Sequence, residues 1–394
     1  MKQILAITLM NLRAIPQRLG SSLVIVIGIA GVVGVLVAML SMAQGFGATL
    51  KATGKDDRLM VLAGGVTSEL SSTLMPDILP LLRELPGLAR DAEGRPLVSA
   101  ELVVITELRR GEGAQRADVN VSLRGVEPLG LQLRPEAKLI EGRWFTPGLR
   151  EVVVGKGAAN QFQGVQLGAV LKFRGSEWTV VGTFSADGDA HESELWTDAN
   201  TARSAFGRGG SASSMLAQMQ SAQSLPGIQA AIKADPRLQV DASTEVAYYS
   251  SQSQQFTQQI GMLTSVVAAI MAVGALFGAL NSMYSAVSTR QVEIATLRAI
   301  GFSGLPVVLS VLTEALLLAL TGGVLGAAVA YVLFNNMTVS TLGANFTQIA
   351  FNFAVTPELM QKGLIWATLI GLLGGLPPAI RAARMRVVEA LRGG

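Results

Sequence analysis

The chain has 394 residues, half of them hydrophobic and only 15% charged, whereas a soluble domain carries roughly 25%. This balance excludes an ordinary soluble enzyme, a disordered chain and a collagen. The absence of Cys removes disulfide and thiol chemistry, the single His191 leaves little for a His-built metal or triad site, and a net charge of +3 is too small to imply a nucleic-acid partner.

Residues 1–20 carry Lys2, Arg13 and Arg18 and read as an amphipathic cytoplasmic N-terminus. Residues 21–42 (SSLVIVIGIAGVVGVLVAMLSM) hold no charge and match the ~20 apolar residues needed to span a bilayer. Ser41-Met42-Ala43 resembles a signal-peptide cleavage site, but the run is longer than a signal h-region of about 7–15 residues. Residues 45–258 contain 21 Lys/Arg and 24 Asp/Glu, a soluble balance, and 45–243 read as a folded α+β domain. Strands are expected at 102–108, 119–126, 151–154, 170–174 and 178–184, and helices at 76–85, 197–206 and 227–234. Residues 187–192 (DGDAHE) read as an exposed polar loop. Residues 244–259, with Tyr248, Gln255 and Gln259 along them, predict a polar stalk helix leading into the second span at 260–285. A cytoplasmic helix at 286–304 follows, then a third span at 306–334, a loop at 335–361, a fourth span at 364–380 that stops at Pro377-Pro378, and a tail at 381–394. Nine basic residues lie near the spans on one side: Lys2, Arg13, Arg18, Arg290, Arg298, Arg381, Arg384, Arg386 and Arg392. The loop before residue 361 has no Lys or Arg, so both termini and 286–304 are placed in the cytoplasm.

The chain contains no G-x-x-x-x-G-K-[ST] phosphate loop; near Gly155-Lys156, Arg150 stands where the first Gly belongs. An energy source on a partner, or an ion gradient, is then required. Glu314 is the only charge in the third span and reads as a packing contact with a Ser, Thr or Arg of a neighbouring helix. In the 288–304 loop (STRQVEIATLRAIGFSG), Arg290, Glu293 and Leu297 share one helical face, and Arg290 can pair with Glu293. With Arg298, and Gly301 as the stop, they predict a docking helix for a cytoplasmic protein. Small residues at Gly28, Gly31, Gly34, Gly274 and Gly278 permit close helix approach.

These residues resemble a known family. The 290–301 run is similar to the R-x-x-E-I-x-x-L-R-A-x-G signature of the MacB/FtsX-like permeases of type VII, or mechanotransmission, ABC transporters. LIEGRWF (139–145), EVVVG (151–155) and GAVLKFRGSEWTVVGTF (168–184) resemble its periplasmic core domain. Glu314 with Gly322, Gly323 and Gly326 resembles its third helix, and GGLPPAIRAARMRVVEALR (374–392) its C-terminal end. The resemblance implies a four-helix membrane protein with a large α+β extracytoplasmic domain between helices 1 and 2, set in a bacterial inner membrane. It implies a non-enzymatic permease with no cofactor of its own, ATP and Mg being bound by a separate ABC ATPase subunit. A second permease copy or a paralogue would complete a dimer in membrane lipid, with a periplasmic adaptor and an outer-membrane duct where the task is efflux of a drug, peptide or other small amphiphile. Lipoprotein release and signalling to a cell-wall hydrolase are the alternatives. Arg290, Glu293, Leu297, Arg298 and Gly301 would then serve ATPase coupling, Glu314, Gly28, Gly31, Gly322 and Gly326 intramembrane packing, and Tyr248, Gln255 and Gln259 the stalk.

Overall fold

The computed structural model describes residues 19–110, 117–342 and 348–387. Lys2, Arg13 and Arg18, and the end of the tail including Arg392, lie outside the described residues. The chain divides into a domain unit, 45–258 with 338–352, and a helical unit formed by the remainder.

The first helix, α1 (Leu19–Thr53), is longer than the uncharged run, because nothing between Met42 and Thr53 breaks it: Pro is absent and Ala, Leu, Lys and Gln favour helix. Then follow β1 (Arg58–Ala63), α2 (Leu79–Arg83), β2 (Val98–Arg110), β3 (Ala117–Val126), α3 (Pro128–Leu133), β4 (Lys138–Gly142), β5 (Glu151–Gly155), α4 (Lys156–Gln161), β6 (Val170–Phe173), β7 (Ser176–Ser185), β8 (Leu195–Asp198), α5 (Ala199–Ala205), β9 (Ser214–Gln218), α6 (Leu225–Ala234) and β10 (Val240–Thr244). The strands form one mixed sheet in the order β10-β1-β9-β2-β3-β8-β5-β7-β4, with β6 on β7. The five expected strands fall on β2, β3, β5, β6 and β7.

Strand β2 joins two lobes. Val98–Glu101 pair with β9, and Leu102–Arg110 pair with β3. One lobe buries Leu59, Val61, Met215 and Ile228 under α2 and α6. The other buries Val121, Leu123, Val154, Trp178 and Leu195 on one face, and Phe145, Phe184 and Trp196 on the opposite face. Alternation holds Trp178 and Val180 of β7 on one face, and a register shift against β5 between Val180 and Gly182 brings Phe184 to the other.

Helix α7 (Glu245–Thr289) runs unbroken through the stalk and second-span segments. After it come α8 (Gln291–Ala299), α9 (Gly304–Phe334), the hairpin β11 (Thr338–Leu342) and β12 (Gln348–Asn352), and α10 (Pro357–Arg384). The expected 335–361 loop therefore holds a β-hairpin at 338–352, which belongs to the domain unit, and its last residues, from Pro357, open α10. Helix α10 also overruns its expected end. Pro377 and Pro378 lie inside it, and Gly374, four residues before Pro378, faces α7, where a methyl group would stand 2.9 Å from Ala279 Cβ.

In the helical unit, α1, α7, α9 and α10 are each long and apolar enough to cross a membrane. Their inner stripe includes Ile25, Ile29, Val33, Met283, Val311, Ala315, Leu318 and Ile370. Glycines set the spacing. A methyl group at Gly322 would stand 2.6 Å from the Val26 carbonyl oxygen, and one at Gly326 would stand 2.9 Å from the Ala30 Cα. By contrast, Gly28, Gly31 and Gly274 meet nothing within 4 Å. The glycines that meet the α1 backbone are those of α9, those of α10 meet side chains such as Ala279 and Ala315, and Gly28 and Gly31 lie on the open side of α1.

Candidate coupling site

The turn between α7 and α9 is built around α8. Its backbone N-cap is Arg290, and it ends at Ile300, after which Gly301 takes φ +99°, a left-handed value that suits Gly and turns the chain toward α9. Arg290 does not share the exposed face with Glu293. It is 4% exposed, and its Nη1 lies 3.1 Å from Glu314 Oε2, at the base of a small cavity of about 20 Å³ between α7, α8 and α9. The sequence face failed here because Arg290 precedes the helix and has non-helical dihedrals, so helical spacing does not apply to it. Glu314 thus finds a polar neighbour in Arg290, and the two buried charges pair within an apolar bundle.

The remaining positions divide cleanly. Ile294 and Ala295 are buried against the helices, Leu297 is half-buried, and Val292, Glu293, Thr296, Ala299 and Ile300 are exposed. Val292 is 49% and Ile300 69% exposed, an apolar pair flanking Glu293. Arg298 faces the bundle side: its Nη1 donates to the Met385 carbonyl oxygen at 2.7 Å, just past the end of α10. The elbow is therefore clamped to α9 through Arg290 and to the α10 terminus through Arg298.

The domain unit contains a second polar centre that the sequence did not reveal. Arg124 on β3 is 1% exposed and bonds three carboxylates: Glu194 through Nε and Nη2 (2.7 and 2.9 Å), Glu69 through Nη1 and Nη2 (2.8 and 2.9 Å) and Glu101 through Nη1 (2.9 Å). Arg134 grips Glu101 bidentately at 2.6 and 3.0 Å. Glu101 sits where β2 changes partner, so the cluster lies at the junction of the two lobes. Burial pushes the Glu101 and Glu194 carboxyls up, but the neighbouring Arg134 and Arg124, with His191 at Glu194, outweigh it and hold both below their ordinary values.

The start of α7 enters this centre. Tyr248 is buried and its hydroxyl accepts from Glu69 N at 3.2 Å, and Glu245 lies 3.3 Å from Arg58, which also holds Glu136 bidentately. Gln255 and Gln259, further along, are exposed. Two glycines let the end of α1 reach the same helix: a methyl on Gly47 would stand 2.9 Å from Ser253 Oγ, and one on Gly54 2.6 Å from Val246 Cα. Only the start of the 187–192 segment, Asp187 and Gly188, is exposed; the rest turns inward. His191 is 1% and Asp189 3% exposed, because His191 Nδ1 faces Glu194 at 3.2 Å and Asp189 caps the turn by accepting from His191 N. Burial pushes Asp189 up to about 6, against the pull of His191. Burial lowers His191, but Asp189 and Glu194 overcome it and leave it raised.

The geometry of both centres is mechanical. Every carboxylate in the domain cluster named above is engaged by an arginine, a histidine or a backbone N–H, and among the described residues no group of three His, Asp or Glu side chains is placed to hold a metal. Arg124 offered little signal in the sequence, since an Asn-x-Ser-x-Arg alternation along β3 has the appearance of a solvent face.

Residues 22–235 match the MacB-like periplasmic core domain, and residues 265–387 match the FtsX-like permease C-terminal domain. An uncharacterized ABC transporter permease of Methanocaldococcus jannaschii is 23% identical over 261 residues, covering 64% of this chain and 65% of that one. The macrolide export ATP-binding/permease protein MacB of Bdellovibrio bacteriovorus is 24% identical over 408 residues, covering 94% of this chain and 58% of its own length. The chain thus spans less than two thirds of either relative. The crystal structure of the periplasmic region of MacB from Actinobacillus actinomycetemcomitans aligns with 52% of this chain and 92% of its own, at 14% identity and a TM-score of 0.36. With one domain model covering more than half of the chain and the second covering its helical C-terminal part, the protein belongs to the MacB/FtsX-like family of ABC transporter permeases.

Proposed function

We infer that this permease converts ATP hydrolysis on a separate cytoplasmic ATPase subunit into movement of its extracytoplasmic domain, and so drives export of a small amphiphile, drug or peptide across the inner membrane. The observation that carries the reading is the elbow. One face of α8 is exposed and apolar around Glu293, while Arg290 and Arg298 tie its other side to α9 and α10. A subunit pressing on Val292, Glu293 and Ile300 displaces two long helices together, as rigid bodies. Helix α7 continues without a break from the elbow to the Tyr248 region, which supports it as the transmitting rod. ATP and Mg belong to the partner.

A second permease copy is part of the reading. Only 17% of the most apolar stretch of α7 is buried within the chain, against 39–44% for the other three helices, which leaves Ile270, Val273 and Phe277 for a partner helix or lipid. Macrolide export by the MacB relatives supports a small amphiphile as cargo, with an adaptor and an outer-membrane duct completing the path. The test is affinity capture of the full-length chain from membranes of its host. An ATP-binding-cassette ATPase is expected to co-purify with the native chain and to be lost with Ile300→Asp, which puts a charge on the apolar docking face without touching the bundle. Transport by the chain alone, or capture unaffected by Ile300→Asp, overturns the coupling role; co-captured lipoprotein or cell-wall hydrolase in place of an adaptor redirects the cargo assignment.

A further inference from the structure

The last turn of α10 carries chemistry that coupling does not use. Arg381, Arg384 and Arg386, with Leu376, Pro377 and Ile380, line an open cleft of about 710 Å³ on the helical unit. All three arginines are exposed, and no carboxylate stands among the described residues that line the cleft. The Arg381 guanidinium is held 5.5 Å above the Tyr284 ring at the end of α7, and Arg298 fixes the chain at Met385. The cleft is thus bounded by positioned groups. The C-terminal dipole of α10 contributes about half a negative charge, far less than three guanidinium groups, so the cleft attracts anions.

The cleft is also two-toned. Leu376 and Ile380 are 43% and 37% exposed, and Leu376 lies five residues, about 7.5 Å along the helix, before Arg381. An inorganic anion would neutralise the arginines and leave these apolar side chains uncovered. An acidic protein surface would have to reach into the hydrocarbon layer to cover them. A phospholipid satisfies both ends, with acyl chains on Leu376 and Ile380 and phosphate on the guanidinium groups, where arginine bonds phosphate bidentately.

We propose that this cleft is a binding site for the headgroup of an anionic phospholipid of the cytoplasmic leaflet, which Arg381 and Arg384 hold by its phosphate. The site rests on the membrane orientation assigned above, in which the end of α10 lies at the cytoplasmic surface.

Native mass spectrometry of the full-length chain, exchanged into detergent with equimolar phosphatidylglycerol and phosphatidylcholine, tests it. Phosphatidylglycerol adducts are expected to predominate. Arg381→Gln with Arg384→Gln is expected to weaken phosphatidylglycerol retention by about thirtyfold, a factor of about five for each lost charge. Arg381→Lys with Arg384→Lys should retain most of the preference, which shows that the Gln pair fails through charge and not through misfolding. Equal occupancy by the two lipids, or retention untouched by the Gln pair, overturns the proposal. So does glycerol 3-phosphate binding as tightly as the lipid, because the ligand would then be a soluble phosphate. Loss of the captured ATPase with lipid adducts unchanged would assign the arginines to the protein partner and overturn it as well. The lipid readout requires no ATPase, so its failure is separable from failure of the coupling reading.

Discussion

Asp189 and His191 show how much of the domain is decided by single protons. Asp189 is held up at about 6, from an ordinary 3.8, so as pH rises from about 4 to 6 the unfolded chain releases this proton before the folded one does, and stability falls. His191 is raised as well, and its contribution is present below about 6.5 and lost as pH climbs through its folded value. Both groups therefore favour the folded domain in mild acid. Asp189→Asn keeps an oxygen for the His191 backbone N–H and removes the costly charge. It is expected to flatten the pH 4–6 limb of a thermal-unfolding profile and to stabilise the protein at pH 7.5 by on the order of 1–3 kcal/mol. An unchanged profile would show that the carboxyl is not buried beside the imidazole. None of this was legible in the DGDAHE string, because the burial of Asp189 and His191 beside Glu194 depends on Arg124, which strand pairing brings to Glu194.

At the scale of elements, the spacing of α1 and α9 is set by which glycines meet backbone. Gly326 faces Ala30 and Gly322 faces Val26, so a Cβ at either site pushes two main chains apart, and main chain does not yield as a flexible side chain does. Gly326→Ala is expected to cost about 1–3 kcal/mol in detergent-solubilised protein. Gly31→Ala, with open space around it, should be neutral or raise stability by up to about 1 kcal/mol through helix propensity. The two melting temperatures measured side by side decide the matter, and equal losses would refute the assignment. The existence of the long helices was legible, since length and absence of charge suffice for that. Which of the four expected packing glycines meet backbone was not, because every span is rich in Gly and only the crossing point separates Gly322 and Gly326 from Gly28 and Gly31. The face of α8 was half legible: Glu293 is exposed, while Arg290, one residue before the helix, is buried against α9.

On the scale of the whole domain, one strand and one arginine hold two lobes together. Strand β2 passes from the β9 side to the β3 side at Glu101, and Arg124 gathers Glu101 with Glu69 and Glu194 at that point. Removing the cation leaves three buried carboxylates facing one another, a loss of about 3–5 kcal/mol. Arg124→Met is expected to turn a single unfolding transition, followed by calorimetry, into two, and persistence of one transition would show that the lobes are joined by packing alone. The sheet order itself was beyond the sequence: β1, β9 and β10 are short, their partners are distant in the chain, and no local pattern encodes a non-local pairing. The helical unit ends on a feature with its own consequence. Pro377 and Pro378 lack N–H groups, so the carbonyls of Leu373 and Gly374 lose their donors within α10, and this stretch is its most compliant part. The terminal turn can flex there with no further bond to break, while the link from Arg298 to Met385 keeps it in step with the elbow. Helix α10 thus has a built-in pivot, which lets its last turn adjust locally while the rest of the helix moves as one piece.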